Sequence, residues 1–205
     1  MAKEKQVVVA SMKFIHISDI HLVSGDGPLN GCVPSDRLDK CIQDITKWHG
    51  DAKFCVISGD LSEFAEKGAY KSLKKKLLEF QIPCFLMIGN HDDRDLFQSV
   101  FTNNPCDENK FVQSSFETDE RVFIFLDTKK QGKNVHDGEL CENRLDWLKK
   151  QLMNSSNKPT YLFMHHPPFD IGIPYMDNIR LFGSDQFLST LSHGKNIQHI
   201  FYGHV

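Results

Sequence analysis

Short apolar runs that stop abruptly at Gly, Asp, Asn or His recur along the chain. Lys13 to Ser18, Phe54-Cys55-Val56-Ile57-Ser58, Pro83-Cys84-Phe85-Leu86-Met87-Ile88 and Tyr161-Leu162-Phe163-Met164 lack clean alternation. They read as strands buried on both faces, the first of them central in its sheet. Between them the period lengthens to that of a helix. Leu38, Cys41, Ile42, Ile45 and Trp48 form one stripe behind Pro34-Ser35, and Tyr70, Leu73 and Leu77 a second. Leu96, Phe97, Val100 and Phe101 mark a short helix, and Leu140, Cys141, Leu145, Leu148 and Leu152 a longer one. Phe111 to Phe116 and Arg121 to Leu126 flank a polar turn and predict a hairpin. Ser184-Asp185 caps a further helix with Phe187, Leu188 and Leu191 inward, and Ile197 to Tyr202 is the last strand. Strands alternating with helices, without repeat or linker, make an α/β domain.

The residues that end the strands carry the chemistry. The first runs into Asp19-Ile20-His21, the second into Gly59-Asp60 and the third into Gly89-Asn90-His91-Asp92-Asp93-Arg94. The strand at Tyr161 runs into His165-His166-Pro167-Pro168, and the last into Gly203-His204. Ligands of open α/β sheets bind at that edge. Carboxylate and amide oxygens with imidazole nitrogens there make a metal site, and a mixed O/N set without thiolate suits Mn, Fe, Co or Zn. His16, inside a strand, reads as a hydrogen-bonded core histidine. The glycine-rich stretch Ser24 to Gly31 has no Lys-Ser/Thr pair and is no phosphate-cradling loop; it reads as a rim of the site. Lys71, Lys74, Lys75 and Lys76 read as a solvated helix face.

The 205 residues suit one domain, taken as residues 13–205 behind an N-terminal extension of residues 1–12. A net charge of −3 gives no footprint for polymeric nucleic acid, so an anionic substrate must be drawn by bound cations. The apolar runs are too short to span a membrane. Six cysteines without a Cys-x-x-Cys pair read as free thiols in a reducing, cytoplasmic setting. A homo-oligomer stays open.

Asp-x-His, Gly-Asp, Gly-Asn-His-Asp, His-His-Pro-Pro and Gly-His, in that order, resemble the signature of the calcineurin-like metallophosphoesterases over the chain from about Lys13 to its last residue. Gly89 to Arg94 and Gly172-Ile173-Pro174-Tyr175-Met176-Asp177 are similar to the branch of cyclic-nucleotide and glycerophosphodiester phosphodiesterases. The resemblance implies a four-layer αββα sandwich of two mixed sheets and two divalent metal ions. It implies Asp19, His21 and Asp60 on the first ion, with Asp60 bridging, and Asn90, His165 and His204 on the second. Hydroxide held by the ions then attacks a small phosphodiester in line. His91 is the implied catalytic residue, contacting the phosphoryl oxygen or protonating the leaving alkoxide, and Asn90 and His91 are the implied substrate contacts.

Asp92 is expected to orient His91 or a neighbouring ligand, and His166 either to orient His165 or to pack beneath it. Arg94 either pairs with Asp92 or Asp93 or faces the substrate. Asp127 is expected at a turn or behind the ligands. Tyr175, Met176, Asp177, Asn178 and Arg180 are candidates for the specificity pocket. The alternatives are a phosphomonoesterase or protein phosphatase on the same scaffold, or an inactive metal-binding scaffold. Where the family carries Gly-His-x-His, this sequence stops at Val205. The expectation is a C-terminally truncated domain whose first metal lacks one histidine and whose second sheet has an exposed edge.

Overall fold

Alternate side chains along each strand enter different interfaces, and this parity sets the layers. A computed structural model describes residues 12–132, 135–155 and 157–205. The expected extension falls almost wholly outside them. The element order is β1 (Ile15–Ile17), α1 (Pro34–Trp48), β2 (Cys55–Ser58), α2 (Lys67–Glu79), β3 (Cys84–Met87), α3 (Arg94–Val100), β4 (Ser114–Glu117), β5 (Val122–Phe125), β6 (Gly138–Glu139), α4 (Glu142–Asn154), β7 (Thr160–Phe163), α5 (Pro174–Asp177), β8 (Leu181–Phe182), α6 (Ser184–Leu191) and β9 (Ile197–Phe201). β1-β2-β3 form a parallel sheet. A second, mixed sheet runs β4-β5-β7-β9, with the expected β4–β5 hairpin antiparallel and the other pairs parallel. β6 and β8 make a small parallel pair.

Cys55, Ile57, Leu86 and Ile88 point toward Leu38, Ile45, Tyr70, Leu73 and Phe97 of the first helical layer. Val122, Ile124, Leu162 and Met164 point toward Trp147, Leu148, Leu152 and Phe187 of the second. The intervening positions, Phe54, Val56, Met87, Phe123, Phe125 and Phe163, meet between the sheets. Phe14 stacks on Phe54 at 5.3 Å and Phe85 on Phe125 at 4.8 Å, while Phe163 stacks on Phe201 at 4.9 Å. Such ring pairs add about 0.5–1.5 kcal/mol each beyond the area they bury. Three apolar interfaces between helices, sheet, sheet and helices are the αββα sandwich.

Some local expectations are corrected. β1 is not central; it ends the order and β2 is the middle strand. An unbroken apolar run reports burial of both faces, here by helices and by the aromatic layer, and is blind to the hydrogen-bonding edges. Trp48 is 65 % exposed, so the first stripe ends at Ile45, and Leu188 is 45 % exposed while Phe187 and Leu191 on either side of it pack inward. The last helix is preceded by Gly183 at φ 69°, with Ser184 already helical and making no capping bond. No helix among the described residues is long and apolar enough to cross a membrane.

Candidate metal centre

The two sheets present their C-terminal strand ends together, and polar groups gather there. After β1 the chain stays locked to the turn after β2: Asp19 N–H donates to Gly59 O at 3.2 Å and His21 N–H to Asp60 O at 2.9 Å. From the second sheet, Gly203 N–H donates to His165 O at 3.0 Å. Asp19 Oδ2 then accepts the His204 N–H at 3.0 Å, joining the first motif to the last. Asp19, His21, Asp60 and His204 all have positive φ, at 57°, 44°, 49° and 61°. Left-handed backbone costs a residue with a Cβ about 1–2 kcal/mol, and such strain collects at functional sites.

Glycine makes the approach possible. A Cβ on Gly89 would lie 2.2 Å from Asp60 Oδ1 and 2.6 Å from His165 Nε2, and one on Gly203 would lie 1.8 Å from Ser18 Oγ.

The proton positions follow from the partners. His165 Nδ1 is 3.0 Å from Ser58 O, a pure acceptor, so Nδ1 carries the hydrogen and Nε2 faces the site. That Nε2 lies 3.1 Å from Asn90 Oδ1 and 3.3 Å from Asp60 Oδ2. The Asn90 side chain is held in this orientation by its Nδ2, which pairs with His136 Nδ1 at 3.2 Å, and its backbone carbonyl accepts from Lys129 Nζ at 2.9 Å. Asp60 Oδ2 is also 3.7 Å from His21 Nε2, so one carboxylate oxygen serves both halves of the site. Ligand atoms of Asp19, Asp60 and His165 fall within 4.8 Å of one another, and so do those of His21, Asp60 and His91.

The electrostatics match a cation site. Burial opposes ionisation of Asp60, but His165 outweighs it and holds the carboxyl well below the usual range. Burial alone would lower His165; Asp60 instead pushes it up to about 9. Burial and the neighbouring His165 bring His204 down to about 4, so its ring is neutral. His204 Nε2 is buried without a hydrogen-bond partner. A neutral, orphaned imidazole nitrogen beside two carboxylates is what a divalent cation requires. The donor set fits the implied ions.

The remaining expected residues are also placed. His91 N–H donates to Asp60 Oδ1 at 2.9 Å and its Nδ1 to Glu63 O at 2.9 Å. Asp92 does not touch the His91 ring. It is buried, and its carboxylate accepts the N–H of Gly89, Leu61 and Ser62 at 2.9, 3.1 and 3.1 Å, and the Tyr70 hydroxyl at 2.9 Å. It stitches the turns carrying Asp60 and Asn90. Burial, with Asp60 nearby, raises its carboxyl to about 6.

Both nitrogens of His166 are engaged, Nδ1 with Thr128 Oγ1 at 2.7 Å and Nε2 with His136 O at 3.2 Å, so it packs edge-on against His165. Arg94 meets neither Asp92 nor Asp93; its Nε and Nη2 clasp buried Asp127 at 2.7 and 2.9 Å.

Two clefts open beside the centre. One of about 760 Å³ is lined by Asn90, His91, Arg94, Lys129, Gln131 and His136. The other, of about 570 Å³, is lined by Asp19, His21, Asn30, Cys32, Arg37 and His91, so the glycine-rich loop does form a rim. Tyr175, Met176, Asp177, Asn178 and Arg180 line neither cleft. Arg180 instead reaches Asp170 at 2.5 Å, and Asp177 accepts from Ile171 N–H. Glu63, Lys129, His136 and Thr128 were absent from the sequence reading. Lys129, two residues past Asp127 at the end of β5, shares the strand-end position of the other site residues.

The model of the calcineurin-like phosphoesterase family matches residues 12–205. The chain belongs to this family. Among relatives of this phosphoesterase, a probable cyclic nucleotide phosphodiesterase of Rhodopseudomonas palustris is 35 % identical over 195 residues, covering 95 % of this chain and 71 % of the relative. A probable glycerophosphodiester phosphodiesterase of Arcobacter nitrofigilis is 29 % identical, with 95 % and 71 % covered. In fold, the phosphoesterase matches a dimetal phosphatase from Danio rerio at TM-score 0.75 and 16 % identity, over 94 % of this chain and 81 % of that one.

Proposed function

We propose that this phosphoesterase hydrolyses a small organic phosphodiester, a 3′,5′-cyclic nucleotide first and a glycerophosphodiester next. The observation that carries the reading is Asp60 Oδ2 set between the Nε2 atoms of His165, at 3.3 Å, and His21, at 3.7 Å. Asp19, His21 and Asp60 would hold one divalent cation, and Asp60, Asn90, His165 and His204 the other, drawn from Mn, Fe, Co and Zn. Bound there, the pair lowers the pKa of water and neutralises charge building on the phosphoryl oxygens. His91, with Nδ1 fixed on a carbonyl, has Nε2 left to pass a proton to the departing alkoxide. Asn90 presents only a neutral oxygen, which leaves the site more positive than a carboxylate would and favours an anionic diester. The six free thiols support a reducing, cytoplasmic location.

The test compares hydrolysis of bis-p-nitrophenyl phosphate and p-nitrophenyl phosphate by the full chain with Mn²⁺, then of cyclic AMP and glycerophosphoethanolamine. A preference for the diester is expected. Predominant monoester hydrolysis would overturn the reading, and no turnover of either would favour an inert scaffold.

A further inference from the structure

We propose that Glu63 is a positioning residue that selects the tautomer of His21 and so presents its Nε2 to the first metal ion. The inference rests on the proposed role of His21 as a ligand. Glu63 lies on the turn after Asp60 and borders both clefts. Its backbone is pinned, since its N–H donates to Leu22 O at 3.0 Å, next to His21. Its Oε2 sits 2.7 Å from His21 Nδ1, close in distance though not aligned as a formed hydrogen bond.

A carboxylate oxygen facing Nδ1 favours the hydrogen there, because the alternative sets two lone pairs against each other. Nε2 is then the bare nitrogen, and it is the one that looks toward Asp19 Oδ1 at 3.8 Å and Asp60 Oδ2 at 3.7 Å. A carboxylate behind a ligating imidazole fixes the ring and raises its basicity, and its loss typically lowers metal affinity about 10–100-fold.

The same residue also faces the other functional ring. Glu63 O accepts from His91 Nδ1, while Glu63 Oε2 stays 3.6 Å from that nitrogen. The His21 and His91 rings meet edge to face at 4.9 Å. Glu63 therefore serves His21 through its side chain and His91 through its main chain. Substitution of the side chain should weaken the metal site while His91 keeps its anchor.

The experiment measures Mn²⁺ affinity by chelator competition in the full chain, in Glu63→Gln, in His21→Ala and in the double variant. Glu63→Gln should weaken the first equivalent about 10–100-fold, leave the second within about threefold, and add nothing once His21 is gone. An unchanged first affinity, or an equal loss in both backgrounds, overturns the inference while the function stands. Failure of the unsubstituted chain to bind Mn²⁺ overturns the function, and the inference with it. A measurement that needs no variant is the ¹⁵N-histidine spectrum of the metal-free chain. A hydrogen on His21 Nδ1 supports the proposal; one on Nε2 alone overturns it.

Discussion

Asp60 Oδ2 and His165 Nε2 face each other across 3.3 Å at the seam between the two sheets, with the ring wholly withdrawn from solvent. The carboxylate belongs to the first sheet and the ring to the second, so a charge shared between them also fastens the sandwich at its functional edge.

Metal should therefore stabilise the fold as well as complete the site. A ligand present at about 100 times its Kd adds about 2.7 kcal/mol to the folded state, which for a domain of this size raises Tm by about 5–10 °C. Calorimetry with Mn²⁺ and then with excess EDTA checks this. A Tm indifferent to both would mean that the cluster is held by its own hydrogen bonds alone.

His91 is predicted to act on the leaving group rather than on the metals. His91→Asn should lower kcat for a cyclic nucleotide about 10²–10⁴-fold. Mn²⁺ affinity should change little, because the Nδ1 anchor is a carbonyl outside the ligand set. With a bis-p-nitrophenyl diester, whose leaving group needs no proton, the loss should be much smaller. Equal losses on both substrates would assign the ring to phosphoryl contact instead.

What the sequence made legible was local. Asp19, Asp60, Asn90, His165 and His204 each lie two or three residues past the end of a strand, so finding the strand finds the candidate. The α/β class was legible in the alternation of strands and helices, whereas the four layers followed from the family resemblance. Runs that are apolar on both faces do not mark which side chains meet the helices and which the other sheet. Glu63 was not legible. Its place beside His21 depends on the β1–β2 register, which pairs Ile15 with Cys55 and persists past the strands to pair Leu22 with Ser62. For Asp92 the sequence left open whether it orients His91 or a neighbouring ligand, because carboxylate-to-backbone bonds leave no mark in the spacing of side chains; its contacts are with the turns of Asp60 and Asn90. Arg94 found Asp127 across a gap in sequence that only the packing of α3 against the end of β5 closes.

Asp92 and Tyr70 separate a backbone clamp from an ordinary hydrogen bond. Asp92→Ala abandons three buried N–H groups, each worth about 1–3 kcal/mol when unsatisfied, so denaturant unfolding should show a loss of at least about 3 kcal/mol. Tyr70→Phe removes one donor to that carboxylate and one acceptor for Asp93 N–H, and should lose only about 1–2 kcal/mol. Similar losses for the two would contradict the clamp.

Arg94→Lys tests the fork on Asp127. Arg94 Nη2 also donates to Lys129 O at 2.9 Å, and Asp127 accepts from Val112 N–H and Lys129 N–H. An ammonium cannot reproduce two parallel bonds from one plane. The expected loss of stability is about 1.5–3 kcal/mol by chemical denaturation. Retained stability would show that Arg144, whose Nη1 lies 3.9 Å from Asp127, carries the charge alone.

Gly89 is the sharpest steric test of the centre. Its backbone is not left-handed, so alanine brings no conformational penalty there and any effect must come from the added methyl. That methyl would meet Asp60 Oδ1, Asp60 N at 2.6 Å and His165 Nε2, none of which is the loose end of a flexible side chain. Overpacking of a tight interior costs about 1–3 kcal/mol. Here the give must come from the carboxylate and ring proposed as metal ligands. Gly89→Ala should therefore lower Mn²⁺ affinity by about fivefold to a hundredfold, since 1.4 kcal/mol is a factor of ten, while Tm without metal falls only modestly. Gly172→Ala is the counterpart: at φ 84° with open space around it, it should lower stability through backbone strain alone and leave Mn²⁺ affinity unchanged. Matching losses of affinity in the two variants would show that the centre yields to general destabilisation rather than to the contact at Gly89.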